Sequence, residues 1–309
     1  MSKEKNFISA VIYVHNTENR IEAFLNMIME ILEKNFEYSE IICVNDYSAD
    51  GSVKKIKEIS KKARHTSISI LNMSYFHGLE LAMSAAVELS IGDFVFEFDN
   101  TILDYDKSEI MKVYGKALEG YDIVSASADK KQRFSSKIFY QVFAHFTDLP
   151  YSIGTESFRI LSRRVINRIN SMNKSIPYRK IVYANCGLKT ENIIYSVVKH
   201  VNVSDKAEKR YRGHLAVNTL IMFTDLGYKF SVIMTFLMML MAAFMLIYSV
   251  AVYLTSNPVA GWTTTILFLS VAFFGLFGIL AIVIKYLQIL LELIFKRKQY
   301  SFESIEKLT

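Results

Sequence analysis

Short apolar runs alternate with helix-periodic segments along the first hundred residues. Compact runs rich in β-branched side chains predict buried strands at residues 7–14, 40–44, 67–71 and 93–98. Apolar side chains at a helical period predict intervening helices at residues 20–34, 52–62 and 79–89. This alternation predicts an α/β fold with a doubly wound, mostly parallel sheet.

The pattern is less regular after residue 106. It predicts a strand at residues 122–125 and one or two more strands within residues 180–195. Helical periodicity predicts helices at residues 108–118, 135–146 and 165–172.

Two long apolar spans, residues 230–254 and 262–284, contain no charged residue. A helix needs about 20 residues to cross a hydrocarbon core about 30 Å thick, so each span is long enough. The alternative is a buried core helix of a soluble protein. Two adjacent spans with no polar face favour a transmembrane hairpin instead.

The hydrophobic pattern therefore divides the chain into five parts. A cytoplasmic α/β domain of residues 1–204 is followed by a basic amphipathic juxtamembrane segment, residues 205–229. The two membrane helices and a juxtamembrane tail, residues 285–309, complete the chain. Basic residues flank the hairpin on both outer sides, and the short turn between the helices has no charge. The positive-inside rule then predicts a multi-pass protein of the cell membrane with both termini cytoplasmic.

Composition and charge agree with a membrane location. The net charge is +6, and the basic residues are concentrated towards the membrane end, which favours an anionic lipid surface over nucleic acid as the partner. The two cysteines, Cys43 and Cys186, have no metal-binding spacing and are expected to be reduced. Abundant Lys, Ile, Asn and Phe are typical of an AT-rich bacterial genome.

Polar residues follow three of the predicted strands, where ligands of such sheets bind. Asn16 follows the first strand, and Asn45 with Asp46 ends the second. A carboxylate there can accept hydrogen bonds from a nucleotide base or ribose. An ordinary Asx turn and helix N-cap would use the same residue types.

Asp99 ends the fourth predicted strand and is the candidate metal ligand. Hard carboxylate oxygens suit Mg²⁺ or Mn²⁺, which would hold a diphosphate. A turn aspartate that simply ends a strand is the alternative. Glu97 precedes it on the same strand face, either as a helper or as a structural carboxylate.

Six segments in this order resemble one family. Asn16 and its strand resemble P-x-Y-N-E, residues 45–51 resemble D-D-G-S-x-D-G, and residues 76–80 resemble N-F-G-K-E. Residues 92–101 resemble G-D-y-v-v-x-m-D-A-D, residues 157–163 resemble D-F-R-L-x-x-R, and Arg210 with Gly213 falls in R-x-x-G-x-S-K-Y. With the membrane hairpin, the chain resembles family 2 glycosyltransferases of GT-A fold, specifically the polyprenyl-phosphate (dolichyl-phosphate-like) enzymes.

The resemblance implies roles for residues at the matching positions. Asp99 and Arg159 would be catalytic, with Asp99 also holding the metal. The donor nucleotide would contact Asn16, Asn45, Asp46 and Asp99. The diphosphate or lipid phosphate would contact Lys130, Arg133, Arg159, Arg163 and Arg210. The family resemblance also implies a homotetramer.

The sequence departs from the family pattern at several of these positions. Asn45 replaces the first Asp of its pair, and Thr101 replaces the last Asp of D-x-D, which is generally the direct metal ligand. Ser157 replaces an acidic residue, although Glu156 is adjacent. The lysine pair Lys130–Lys131 would equally suit a solvated loop.

These observations predict an inverting transferase that moves a hexose from a nucleotide sugar, expected to be a UDP-hexose, to polyprenyl phosphate for surface polysaccharide modification. A phosphate monoester is already anionic near neutral pH and needs no general base. A non-catalytic GT-A-like scaffold or regulatory subunit is the alternative, favoured by Thr101. A transferase with a non-lipid acceptor is the third, and it predicts a general base near Glu156.

Overall fold

The computed structural model describes residues 3–129, 156–171, 179–198, 226–255, 259, 261–294 and 300–309. The chain divides into two compact units. The first unit holds the described residues up to 198 together with residues 300–309, and the second holds residues 226–294. The predicted helix at residues 135–146 and most of the predicted segment 205–229 lie outside the described residues.

The first unit contains one sheet of eight described strands in the order β7-β5-β6-β4-β1-β2-β3-β8. The strands are β1 (Ile8–Val14), β2 (Ser39–Asn45), β3 (Thr66–Met73), β4 (Phe94–Phe98), β5 (Ile123–Ala128), β6 (Phe158–Ser162), β7 (Thr190–Tyr195) and β8 (Phe302–Lys307). The pairs β1–β2, β1–β4, β2–β3 and β5–β7 are parallel. The pairs β3–β8, β4–β6 and β5–β6 are antiparallel.

Helices cover both faces of this sheet. In the first unit they are α1 (Glu18–Asn35), α2 (Ser52–Ser60), α3 (Leu79–Leu89), α4 (Ser108–Leu118), α5 (Arg163–Ser171) and α6 (Arg179–Asn185). One core contains Ile8 and Ile12 of β1 with apolar residues of α1, α2 and α4. The other contains Val11 of β1 with residues of α3, α5 and α6. Alternate residues of a strand point to opposite faces, so a strand covered on both sides is apolar throughout. The predicted α/β class is confirmed.

Two strands of the sheet were absent from the sequence-based prediction. β6 lies within residues 157–163, for which the sequence predicts a site motif and not a strand. It pairs antiparallel with both β4 and β5. β8 follows the second apolar helix and pairs antiparallel with β3 at the edge of the sheet.

The segment 180–195, predicted to hold one or two strands, contains one strand, β7. It is preceded by α6, a helix that the sequence did not predict. A short apolar run does not by itself separate strand from helix. Arg179 and Tyr183 are four residues apart, which places both on one face of α6 towards buried carboxylates of the sheet.

The second unit consists of two long helices, α7 (Leu226–Thr255) and α8 (Trp262–Ile294). They contain the predicted spans 230–254 and 262–284, and α8 continues beyond the second span. Both are long and apolar enough to cross a membrane. Only 11% and 6% of their most apolar windows is buried within the protein, so neither behaves as the core helix of a soluble domain.

Candidate functional site

The carboxyl ends of β1, β2, β3 and β4 lie along one edge of the sheet, because these neighbouring strands are parallel. The chain runs outward from β1 through β2 to β3, and then crosses to β4 on the other side of β1. Ligands of open α/β sheets bind at such a change of direction. Asn16 and Asp99 follow the two strands that meet at this point.

Asp46 is fully buried and organises the loop between β3 and α3. Its carboxylate accepts hydrogen bonds from the backbone N–H groups of His77 and Gly78, each at 2.8 Å, and from the Tyr13 hydroxyl at 2.9 Å. Direct contact of Asp46 with a donor nucleotide stays a prediction. The hydrogen bonds indicate a positioning role, because Asp46 fixes the β3–α3 loop beside the carboxyl ends of the parallel strands.

Asn45 and Asn16 are also held by their neighbours. The Asn45 side chain donates to the Asn72 side chain at 2.9 Å and accepts from the Ser48 N–H at 3.1 Å. Asn16 has a positive φ of 50° and accepts from the Ala49 N–H at 2.9 Å. Asn16 is exposed, whereas Asn45 is buried, so Asn16 is the more accessible of the two predicted nucleotide contacts.

Glu97 and Arg159 lie directly opposite each other in the antiparallel pair β4–β6. Arg159 Nη1 donates to Glu97 Oε2 at 2.5 Å, and Arg159 Nη2 donates to Asp99 Oδ2 at 2.8 Å. Asp99 is two residues beyond Glu97 and so lies on the same side of the sheet. The family resemblance implies a catalytic role for each of Arg159 and Asp99, and the structure brings these two side chains into contact.

Arg179 of α6 makes a second bridge between the same two carboxylates. Its Nη1 donates to Glu97 Oε1 at 2.8 Å and its Nη2 donates to Asp99 Oδ1 at 2.6 Å. Its Nε donates to Glu80, in the first turn of α3, at 3.1 Å. The Tyr183 hydroxyl completes the arrangement by donating to Glu97 Oε1 at 2.6 Å.

These side chains form a buried ionic cluster, which we define as Glu80, Glu97, Asp99, Glu156, Arg159, Arg179 and Lys180. Glu156 accepts from Arg159 Nε at 2.9 Å and lies 3.8 Å from Lys180 Nζ. Both arginines are 1% exposed. Buried charges at this level of exposure are tolerated because each is paired and hydrogen-bonded.

The cluster controls the ionisation of Asp99. Burial opposes ionisation of the Asp99 carboxyl, but the charges of Arg159, Arg179 and Lys180 outweigh it and lower its pKa. Burial, followed by the charge of Glu97, raises the pKa of Tyr183, so this side chain remains a neutral hydrogen-bond donor. These three cations therefore favour the ionised form of Asp99.

Several members of the cluster were not candidates in the sequence. Arg179 and Lys180, and Tyr183 that donates to the cluster, lie in no motif, and their positions depend on the packing of α6 against the sheet. Glu80 could have been identified from the sequence, because it ends the segment that resembles N-F-G-K-E. Glu97 was considered more suited to a structural role, and its complete burial agrees with that interpretation.

Arg163, which the sequence grouped with Arg159 as a predicted phosphate ligand, does not join the cluster. Its Nε donates to the Gly92 carbonyl at 2.8 Å, before the start of β4. Asp99 follows the other end of that strand, seven residues beyond Gly92 and therefore roughly 23 Å away at the rise of a β-strand. Arg163 therefore supports the turn that enters β4. The predicted phosphate ligands Lys130, Arg133 and Arg210 lie outside the described residues.

Ser157, which stands where the family pattern has an acidic residue, is hydrogen-bonded within the α/β unit. The Ser157 hydroxyl lies 2.5 Å from the Tyr195 hydroxyl, which donates to Asp104 at 2.9 Å. Glu156 is paired with Arg159 and Lys180. A general base at Glu156, required for a hydroxyl acceptor, would first have to leave these cations.

The described residues do not fit a divalent cation at Asp99. Among them, no group of three or more His, Cys, Asp or Glu side chains is arranged to hold a metal ion. Both Asp99 oxygens accept from guanidinium groups. Thr101 supplies only a neutral hydroxyl, and this buried oxygen has no hydrogen-bond partner within the described part of the chain.

The sheet order and the polar strand ends define a doubly wound α/β protein with its candidate ligand site where the strand order changes direction. The model of the family described as "Glycosyl transferase family 2" matches residues 9–174, more than half of the chain. The chain belongs to glycosyl transferase family 2, and the resemblance seen in the sequence is confirmed.

Known proteins similar to this chain include bacterial glycosyltransferases. An uncharacterized glycosyltransferase of Synechocystis sp. is 30% identical over 61% of this chain and 60% of that protein. The chain thus spans less than two thirds of that relative's length. A prophage bactoprenol glucosyl transferase homolog of Escherichia coli is 23% identical over 87% of this chain and 88% of that protein.

Solved structures support the GT-A fold. Glucosyl-3-phosphoglycerate synthase from Mycobacterium tuberculosis has a TM-score of 0.51 and 16% identity, covering 71% of this chain and 78% of its own. A mannosyltransferase from Pyrobaculum calidifontis, solved with GDP-Man and Mn²⁺, has a TM-score of 0.50 and 14% identity, covering 68% and 60%. At these identities the likeness concerns the fold alone.

Proposed function

We propose that this protein is a membrane-anchored, inverting glycosyltransferase that moves a hexose from a nucleotide sugar to polyprenyl phosphate. The observation that carries the proposal is the match to the bactoprenol glucosyl transferase homolog, which extends over 87% of the chain. A match of that extent includes residues beyond the α/β domain. The expected donor is a UDP-hexose.

The proposed reaction needs positioning more than proton transfer. A phosphate oxygen of the acceptor attacks C1 of the hexose and forms the new C1–O bond. The bond between C1 and the diphosphate breaks, and the nucleoside diphosphate leaves with its electron pair. Because the acceptor phosphate is already anionic, the chain needs to orient two substrates and stabilise the leaving group. The paired state of Glu156 agrees with an acceptor that requires no general base.

The connection of the helices to the sheet supports a membrane hairpin. β3 precedes α7 and α8 in the chain, β8 follows them, and these two strands are hydrogen-bonded in one sheet. Two crossings of a bilayer return the chain to its starting side, as this pairing requires. The basic flanks favour the cytoplasm for that side. The α/β domain would then act at the cytoplasmic leaflet.

A labelled-sugar transfer assay tests the proposal. The full chain in detergent is incubated with undecaprenyl phosphate and radiolabelled UDP-glucose, UDP-galactose or GDP-mannose, and lipid-extractable label is counted. We expect one donor to label the lipid. Asp99→Asn is expected to abolish the label, whereas Asp106→Asn, a matched change on an exposed residue of the same β4–α4 loop, retains it. Absence of label with every donor would contradict the transferase.

A non-catalytic GT-A-like subunit is the second candidate. It is favoured because both carboxylate oxygens of Asp46 and both of Asp99 accept hydrogen bonds from protein groups. This alternative predicts no nucleotide binding as well as no transfer. Calorimetric titration of the full chain with UDP separates the two candidates, because an active transferase must bind the product of its own reaction.

A further inference from the structure

Asp99 already has two cationic partners. Each of its oxygens accepts a hydrogen bond from a different guanidinium, that of Arg179 at 2.6 Å and that of Arg159 at 2.8 Å. Each guanidinium also binds Glu97 and one further carboxylate, so neither is free to swing away alone. The two cations are therefore fixed components of the site.

Charge, rather than the number of lone pairs, opposes a metal at this carboxylate. An Asp side chain has more lone pairs than the two used here. A divalent ion bound to them would lie within a few ångströms of two buried guanidinium groups, and like charges interact strongly where water is excluded. Glu80, Glu97 and Glu156 are already paired with these arginines, and Thr101 adds no further negative charge.

We propose that Arg159 and Arg179 take the place of a divalent cation at Asp99, so that the protein binds a nucleoside diphosphate without Mg²⁺ or Mn²⁺ at this carboxylate. The inference rests on the proposed transferase function and replaces the metal site expected from the sequence. Neutralisation of the diphosphate then depends on basic side chains. Arginine suits this task, since it stays charged when buried and each guanidinium has five N–H donors.

Direct metal binding provides the first test and needs neither donor nor acceptor. Mn²⁺ is titrated into the chelator-treated full chain in detergent, and free Mn²⁺ is followed by electron paramagnetic resonance. We expect the wild type and Asp99→Asn to bind Mn²⁺ equally, because Asp99 holds no Mn²⁺ in either case. A site that is tighter than about 1 mM and lost in Asp99→Asn would overturn the proposal, because nucleotide-bridging metal sites are normally held by such carboxylates.

The second test asks whether replacement of Arg179 increases the affinity for Mn²⁺. Arg179→Gln frees Asp99 Oδ1 and removes one positive charge, and we expect Mn²⁺ affinity to rise by about tenfold or more. Arg168→Gln, a matched change on the exposed face of α5, should leave the affinity unchanged. The gain should vanish in Arg179→Gln combined with Asp99→Asn. No gain in a folded variant would overturn the proposal.

Arg179→Lys extends this test if Arg179→Gln does not fold. Lysine keeps the charge but not the fork of donors, so it cannot bridge Glu97 and Asp99 in the same way. Far-UV circular dichroism identifies the folded variants. In them a smaller gain of Mn²⁺ affinity supports the proposal, and an affinity equal to that of the wild type contradicts it.

Nucleotide binding gives the third test. UDP is titrated calorimetrically into the wild type with EDTA and again with Mn²⁺, and we expect the two dissociation constants to agree within about threefold. Binding that is tighter with Mn²⁺ by more than about tenfold, and that loses this difference in Asp99→Asn, would overturn the inference. Absence of UDP binding in both conditions would contradict the proposed function, while the Mn²⁺ titrations would still decide the metal question.

Discussion

Glu97 is the residue on which the ionic cluster depends. It is fully buried, and its two oxygens bind Arg159, Arg179 and Tyr183. A lone buried carboxylate would be too costly to keep ionised, so its partners are a condition of the fold. The strand F-V-F-E-F shows that a charge is buried, but nothing in it identifies the helix that supplies the second arginine.

Glu97→Gln tests this dependence. The change keeps the size of the side chain but leaves two buried guanidinium groups short of a counter-charge. We expect the free energy of unfolding to fall by about 3 kcal/mol, the scale for breaking a buried ion pair. Urea unfolding of the full chain, followed by circular dichroism, measures it. Glu119→Gln, which alters an exposed ion pair with Lys116, should change stability by no more than about 0.5 kcal/mol; equal effects of the two changes would show that the cluster is not structural.

At the scale of elements, the loop between β3 and α3 connects backbone geometry to the site. Gly78 precedes α3 with φ 81° and ψ 163°, a conformation essentially restricted to glycine. In this conformation its N–H donates to the buried Asp46. The loop therefore needs both a glycine at one position and a carboxylate on the neighbouring strand.

Gly78→Ala is expected to destabilise the protein by about 1–3 kcal/mol, the cost of backbone strain at such a position. It should also weaken UDP binding, because the loop borders the candidate site. The control is Gly115→Ala within α4, where an added Cβ meets nothing within 4 Å and alanine favours the helix. Thermal unfolding and calorimetry measure the two effects. A smaller loss in Gly78→Ala than in the control would contradict the role of the backbone conformation.

The elements that the sequence predicts well are those whose pattern is local. β1 to β4 and α1 to α4 follow from apolar runs and helical periods within ten to twenty residues. β6 (F-R-I-L-S) is short and contains an arginine, and β8 (F-E-S-I-E-K) contains three charged residues, so neither has the continuous apolar run that identifies a buried strand. The same difference applies to the site, where Asp99 and Arg159 belong to motifs, whereas Arg179 reaches Asp99 only through the packing of α6.

At the scale of the whole molecule, β8 constrains the proposed path through a membrane. Val259 lies between the two apolar helices and is 82% exposed, and Lys54 is an exposed residue of α2 in the α/β unit. The two native cysteines are buried, so they give a low labelling background. Single added cysteines at these two positions can therefore report opposite sides of the bilayer.

We expect a membrane-impermeant maleimide added to intact spheroplasts to label Val259→Cys but not Lys54→Cys. Detergent should make the second position reactive. The prediction follows from the β3–β8 pairing and the basic flanks of the hairpin. Labelling of Lys54→Cys in intact cells would contradict the cytoplasmic placement of the α/β unit.

The position of β8 after both apolar helices also has a consequence for biosynthesis. A ribosome makes β3 early, yet its edge partner emerges only after α7 and α8 have been translated. Until then the edge of β3 offers unpaired backbone groups to other chains. Nascent chains that stall before residue 302 should therefore recruit chaperones and be sensitive to proteases, because the sheet cannot be completed until both apolar helices have emerged from the ribosome.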